Sequence, residues 1–133
     1  MTGVREIVVA ARAGIENLSP SDVAAEVAGP GVLVVDVREP AEAAYGALPG
    51  AVLVPRGLLE FAADAASPQH IDGFVPGRRV VVYCANGARS ALAVRSLQEL
   101  GFRDVAHLDG GLDAWIAEGR PQTGPITSTT PHR

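Results

Sequence analysis

The sequence predicts a three-layer α/β domain with about five parallel strands and helices on both faces of the sheet. Short apolar runs recur without the polar alternation of half-exposed strands, which is typical of strands covered on both faces. Helical segments with recognisable ends separate these runs. Over a chain of 133 residues, this alternation indicates one domain with right-handed crossovers.

Five segments are predicted to form the strands. Four are continuous apolar runs, and a fifth, shorter segment before the first predicted helix is a candidate for an added edge strand. The runs cover residues 32–35, 51–54, 80–83 and 105–108, and the edge candidate covers residues 15–18.

Four helices are predicted from their end signals. In the first of them, Ser19 is a suitable N-cap, Pro20 fits the first turn and Asp22 places an acid near the helix N-terminus. The best of the four is the helix at residues 88–100, which has an apolar and a polar face. Glycines at or after the C-terminal ends indicate where the helices stop. The predicted helices cover residues 20–28, 40–45, 88–100 and 111–118.

The domain is predicted to cover residues 15–121. Residues 1–14 are an N-terminal extension, and residues 122–133, rich in Pro, Thr and Ser, are predicted to be a disordered tail. Residues 62–77 form a long connection that either caps a site or is mobile, and the sequence leaves this choice open.

The composition excludes several classes of function. A net charge of -4 and a pI near 5.3 provide no basic surface for nucleic acid or an anionic membrane. All 11 cations are Arg, which excludes Schiff-base and P-loop lysine chemistry. One Cys and three His without ligand spacing predict neither metal nor disulfide, and no cofactor is expected.

A cytoplasmic location is predicted from the same sequence. The apolar run at residues 7–11 is too short for a signal segment, and no stretch is long enough to span a bilayer. A single cysteine fits a reducing compartment.

Cys84 lies in the most informative segment of the chain. It follows the predicted strand 80–83 and precedes the helix 88–100, so it falls at the carboxyl end of a strand, where open parallel sheets bind ligands. A helix N-terminus favours an anion and therefore a thiolate over a thiol. Cys84 is the candidate nucleophile.

The loop after Cys84 has the residue types of an anion-holding turn. Gly87 permits a positive φ, which lets successive amides point to one centre, and Arg89 provides a cationic rim. A lone cysteine after a strand is often only a small buried hydrophobe. Asn86, Gly87 and Arg89 are poor choices for a core, and they favour the functional interpretation.

Seven short motifs lie along the chain: DVREPAE at residues 36–42, GALPGA at 46–51, CANGARS at 84–90, GF at 101–102, LDGG at 108–111, AW at 114–115 and GRP at 119–121. Together they resemble the rhodanese-like sulfurtransferases over residues 18–121. The resemblance implies the rhodanese-like fold and a cysteine, Cys84, that carries a persulfide. Ala47 stands where the family usually has His, and Ala85 stands where thiosulfate-using members often have a basic residue, which leaves the donor open.

The function implied by this resemblance is sulfur transfer in two half-reactions. Cys84 takes a sulfane sulfur from a small anionic donor such as thiosulfate, or from a persulfide, and gives it to a thiol or to cyanide. Backbone amides of the loop hold the terminal sulfur, as in an oxyanion hole. The loop is Cys84 to Ser90, with the amides of Asn86, Gly87, Ala88, Arg89 and Ser90 as the expected donors.

Two other functions stay open. Cysteine phosphatases also combine a cysteine, amides and an arginine, but four residues separate Cys84 from Arg89, one fewer than in phosphatase loops. The chain could also be a non-catalytic rhodanese-like module that binds a partner or senses oxidants through Cys84. No protein partner is identified by the sequence.

Three further residues are candidates for supporting roles. The resemblance suggests that Asp36 and Arg38 shape the pocket floor and brace the loop, with Arg38 as an anion contact, while a loop-anchoring ion pair explains Asp36 equally well. Arg56 either faces the pocket as a donor contact or is an exposed loop arginine. His107 is expected to be a strand residue with one hydrogen-bonded nitrogen rather than a catalyst, and Trp115 a core anchor.

Overall fold

A computed structural model describes residues 2–123 of the chain. Its sheet has five parallel strands in the order β1-β5-β4-β2-β3. The predicted fold class is confirmed, including the edge strand before the first predicted helix. The strands are β1 Glu16–Leu18, β2 Val32–Asp36, β3 Val52–Leu53, β4 Arg79–Tyr83 and β5 Val105–Leu108.

Six α-helices surround this sheet within residues 2–123. The four predicted helices are present, and two others, α1 and α4, lie in segments for which no helix was predicted. A 3₁₀ turn at Arg56–Leu58 leads into α4. The helices are α1 Val4–Ala13, α2 Pro20–Val27, α3 Pro40–Ala43, α4 Leu59–Ala63, α5 Ala88–Glu99 and α6 Gly111–Ala117.

The core consists of two apolar clusters, one on each face of the sheet. Successive residues of β2 alternate between them, since Leu33 and Val35 belong to one cluster and Val34 to the other. Helices α4 and α5 cover the first cluster, and α2 and α6 cover the second. Because both faces are covered, the strands have the continuous apolar runs seen in the sequence.

The long connection at residues 62–77 is anchored in the core. Ile71 and Phe74 are buried, the Ile71 amide donates to the Ala62 carbonyl over 2.9 Å, and the ring of Phe74 meets Phe102 edge to face. The start of the connection belongs to α4. Apolar packing therefore holds a segment that its length alone suggested to be a cap or a mobile loop.

Both ends of the described chain contact the domain. Helix α1, in the predicted N-terminal extension, packs on α5, and Arg12 pairs with Asp109 over 2.6 Å. Thr123 donates its amide to the Ala47 carbonyl over 2.9 Å, so the first residues of the predicted tail lie on the domain. Residues 124–133 of that tail lie outside the described residues. From residue 2 to residue 123, no helix has the length and apolarity needed to cross a membrane.

Candidate active site

Cys84 directly follows β4 and is completely buried. Its Sγ accepts hydrogen bonds from the Gly87 amide over 3.2 Å and from the Ser90 amide over 3.3 Å. Amide donors aimed at a buried sulfur favour negative charge on that atom. Two of the amides named from the sequence therefore contact Sγ itself.

The loop that carries Cys84 depends on the conformation of Gly87. Gly87 has φ +98°, and a Cβ there would lie 3.1 Å from the Gly110 amide nitrogen. Asn86 closes the turn, since its Oδ1 accepts the Ala88 amide over 3.0 Å. The Ala88 amide is thus bound to a side chain of the loop. Whether it also holds a terminal sulfur, as the sequence predicted, stays a prediction.

The start of α6 holds the loop from its carbonyl side. The Leu112 amide donates to the Cys84 carbonyl and the Asp113 amide to the Ala85 carbonyl, each over 2.9 Å. These donors are first-turn amides, which have no acceptor within their own helix. The first turn of α6, which follows directly after Gly110, therefore supports the cysteine loop.

The Arg89 side chain points away from the loop toward α3 and pairs there with Glu42. Its guanidinium makes two bonds to the Glu42 carboxylate, of 2.7 and 2.9 Å. These bonds from Arg89 lower the pKa of Glu42 to about 2. The partner of Arg89 in this ion pair, Glu42, was not singled out by the sequence analysis, and the role of Arg89 as the cationic rim of the site stays a prediction.

Asp36 and Arg38 form a buried ion pair beside β4. The Arg38 Nε and Nη2 atoms donate to the Asp36 carboxylate over distances of 2.7 to 3.1 Å, and the Tyr83 hydroxyl donates to Asp36 Oδ2 over 2.8 Å. Arg38 Nη2 also donates to the Gly46 carbonyl over 2.8 Å. Arg38 is 4% exposed and its guanidinium binds protein acceptors, which is the loop-anchoring arrangement. A role for Arg38 as an anion contact stays a prediction.

Arg56 is the first residue of the turn before α4, and its side chain extends to the middle of α5. Its guanidinium donates to the Glu60 carboxylate over 2.9 Å and to Ser96 Oγ over 2.8 Å. It is therefore a paired arginine, and its side-chain hydrogen bonds within residues 2–123 go to Glu60 and Ser96 rather than to the cysteine loop. A role in donor binding stays a prediction.

His107 lies on β5 and is completely buried. Both ring nitrogens have partners, in contrast to the single bond expected: Nδ1 is 2.8 Å from Ser90 Oγ and Nε2 is 2.7 Å from Asn17 Oδ1. Burial lowers the pKa of His107 from 6.5 to about 4. The imidazole is therefore neutral near pH 7. Trp115 is a member of the core, as expected.

We expect His107 to make the protein less stable as the pH falls below neutrality. The His107 side chain binds a proton near pH 6.5 in the unfolded chain and only near pH 4 in the folded chain. The free energy of unfolding therefore has its full value above pH 6.5 and falls as the pH decreases toward 4. Between about pH 7 and about pH 5 the loss is about 2 kcal/mol. Urea unfolding at the two pH values measures it.

His107→Asn is the control for this measurement. It removes the titrating ring and leaves every other ionisable group in place, so its unfolding free energy should fall by much less over the same interval. An equal fall in the variant and in the native protein would show that His107 does not cause the dependence.

The described residues contain no group of three or more His, Cys, Asp or Glu side chains placed to hold a metal ion. Fold and loop together define the class, an α/β domain whose strand-to-helix turn presents a cysteine sulfur to backbone amides. The family model of the rhodanese-like domain matches residues 19–118. The chain belongs to the rhodanese-like domain family, which confirms the resemblance seen in its motifs.

Relatives and solved structures agree with this assignment. A sulfurtransferase from Allochromatium vinosum is 38% identical over 94 residues, which are 71% of this chain and 80% of that protein. Other curated relatives are longer, and the chain spans only 21% of some of them.

Two solved structures cover nearly the whole chain. A polysulfide-sulfur transferase homodimer from Wolinella succinogenes has a TM-score of 0.73 and 31% identity, covering 96% of this chain and 92% of that one. A protein of unknown function from Rhodopseudomonas palustris, called a possible tyrosine phosphatase, has a TM-score of 0.86 and 36% identity, covering 92% and 96%. Proteins of similar fold are thus named after both sulfur transfer and phosphatase activity, the two enzymatic functions considered for the cysteine loop.

Proposed function

We propose that the protein is a sulfurtransferase that carries a sulfane sulfur as a persulfide on Cys84. The observation that carries the proposal is the pair of amide donors on the buried Sγ, from Gly87 and Ser90. A persulfide needs a sulfur nucleophile and donors for negative charge, and the loop supplies both. Sulfurtransferase relatives support the same function.

The reaction has two displacements at sulfur. In the first, the Cys84 thiolate attacks the sulfane sulfur of the donor. The new S–S bond forms as the donor's bond to that sulfur breaks, and the electron pair leaves with the anionic group, sulfite from thiosulfate or a thiolate from a thiol persulfide. In the second, a thiol or cyanide attacks the outer sulfur, and the electron pair returns to Sγ. No oxidant or cofactor is consumed.

The amides act on the charge that moves in these steps. Negative charge leaves Sγ in the first displacement and returns in the second, so fixed donors stabilise the free thiolate without reorganising. We assign the outer sulfur to the loop amides that do not contact Sγ, which are those of Asn86, Ala88 and Arg89. The partners in this scheme are a small anionic donor and a thiol acceptor, and the single reduced cysteine suits a cytoplasmic setting.

The phosphatase function is less well supported by the same site. Four residues separate Cys84 from Arg89, and the Arg89 guanidinium is bound to Glu42, whereas a phosphate site needs that guanidinium for the substrate. Ala85, in place of a basic residue, favours a thiol persulfide over thiosulfate as donor.

The test compares the two chemistries on the native protein. Sulfur transfer to cyanide is measured with thiosulfate, mercaptopyruvate and glutathione persulfide, and hydrolysis of an aryl phosphate is measured beside it. We expect transfer with at least one donor and no hydrolysis. Hydrolysis without transfer would establish the phosphatase function, and inactivity in every assay would contradict the proposal and favour a binding or sensing module.

A further inference from the structure

A chain of hydrogen bonds runs from Cys84 through two buried side chains to β1. Cys84 Sγ lies 3.5 Å from Ser90 Oγ, Ser90 Oγ lies 2.8 Å from His107 Nδ1, and His107 Nε2 lies 2.7 Å from Asn17 Oδ1. Ser90 and His107 are fully buried. The proposed sulfur transfer uses neither the Ser90 hydroxyl nor the imidazole.

Asn17 fixes the direction of this chain. Its Nδ2 donates to the carbonyls of Arg12, over 3.0 Å, and Ile15, over 3.2 Å, so its oxygen is the atom that faces His107. An amide oxygen only accepts hydrogen bonds, so His107 Nε2 carries the proton. In a neutral imidazole the other nitrogen is then an acceptor, and the Ser90 hydroxyl donates to it.

The surroundings of His107 keep the ring neutral. Burial is the largest influence and lowers its pKa to about 4. Two charged groups face it, Asp109, which favours the imidazolium, and Arg12, which opposes it. These two are bound to each other over 2.6 Å, so their effects on the ring oppose one another. Near neutral pH the hydrogen bonds therefore all point the same way, with each donor on the Cys84 side and each acceptor on the Asn17 side.

The Ser90 hydroxyl has a single hydrogen, and His107 holds it. A lone pair of Ser90 Oγ is thus left toward Cys84, where it can accept the S–H of a thiol but cannot stabilise a thiolate. We propose that His107 is a positioning residue that makes the Ser90 hydroxyl an acceptor toward Cys84, so that this hydroxyl can accept the S–H of the unloaded cysteine and cannot donate to its sulfur.

This role of His107 concerns the protein before Cys84 has accepted a sulfur, and it rests on the proposed sulfurtransferase function. The amides of Gly87 and Ser90 favour negative sulfur, whereas the Ser90 hydroxyl, with its lone pair toward Sγ, can bond only to the protonated thiol. In the persulfide Sγ has no proton, so the S–H bond to the Ser90 hydroxyl exists only in the unloaded state. The free cysteine is thereby kept less reactive than the same loop would make it without His107.

His107→Leu and His107→Asn form a matched pair, since the two side chains have nearly the same shape. Asn keeps an acceptor near the position of Nδ1, and Leu has none. The rate of alkylation of Cys84, the one cysteine of the chain, is measured against pH with iodoacetamide. On the acidic side of neutrality we expect alkylation about tenfold faster in His107→Leu, because the freed hydroxyl can now donate to the thiolate. His107→Asn should follow the native profile.

Two further variants make the result decisive. Adding Ser90→Ala to both members of the pair should remove the difference between them. Asn17→Ala, at an exposed residue, removes the acceptor that keeps the proton of His107 on Nε2 and leaves the buried ring itself unchanged. It should speed alkylation, as His107→Leu does. It serves as the test if the His107 variants do not fold.

Equal profiles for Leu and Asn with Ser90 present would overturn the proposal. Slower alkylation in His107→Leu would also overturn it, because it would show that His107 acts as a base for Cys84. Alkylation requires no sulfur donor, so failure of this role is distinct from failure of the proposed sulfur transfer.

Discussion

Cys84→Ser should abolish sulfur transfer while the protein stays folded. Oxygen cannot form the persulfide bond, so the first displacement has no nucleophile, and we expect transfer to fall by on the order of 10³-fold or more. A serine Oγ accepts hydrogen bonds from the same Gly87 and Ser90 amides, so the loop loses no partner. Initial rates with the best donor, compared with the native protein, measure the effect.

Thermal unfolding is the control for Cys84→Ser, and its midpoint should stay close to that of the native protein. Transfer at a rate close to the native rate would contradict the covalent scheme. It would mean that the domain only brings donor and acceptor together.

Gly111→Ala should destabilise the protein and weaken sulfur transfer together. Gly111 has φ +63°, and a Cβ there would lie 2.5 Å from the Ala85 carbonyl and 2.6 Å from the Cys84 carbonyl oxygen. These are backbone atoms that cannot rotate away, so the start of α6 must move and its amide bonds to the cysteine loop must lengthen. We expect a loss of about 3 kcal/mol or more in the free energy of unfolding.

Gly119→Ala is the matched control for this substitution. Gly119 has a similar φ of +71°, but a Cβ there would have no atom within 4 Å, so it carries only the conformational cost, about 1 kcal/mol. The free energy of unfolding of each variant, measured with urea, separates the cost of a positive φ, which both share, from the cost of the close backbone contacts, which only Gly111→Ala has. Equal losses would show that the contact between α6 and the cysteine loop contributes nothing.

The sequence predicted the sheet because burial on both faces leaves uninterrupted apolar runs. β5 has the predicted bounds, while β2 and β4 each extend one residue further, to Asp36 and Arg79. Helix α1 was missed because its apolar residues are contiguous at residues 7–11 and hide the helical period. Helix α4 was missed because it is short and lies next to a proline-containing connection.

The site was predicted as far as local sequence determines it. Cys84 and its loop follow from residue types along one short segment. The partners of that segment do not, since Glu42 is 47 residues from Arg89 and Asn17 is 90 residues from His107. Such pairs form only when strand order brings distant segments to one edge, and no local pattern encodes that order.

The mass of the protein after exposure to a sulfur donor tests the central claim most directly. We expect intact-mass spectrometry to find one added sulfur atom, mapped by digestion to Cys84, removed by a thiol acceptor and absent from Cys84→Ser. No such addition after incubation with thiosulfate, mercaptopyruvate or glutathione persulfide would contradict the claim that this loop holds a persulfide.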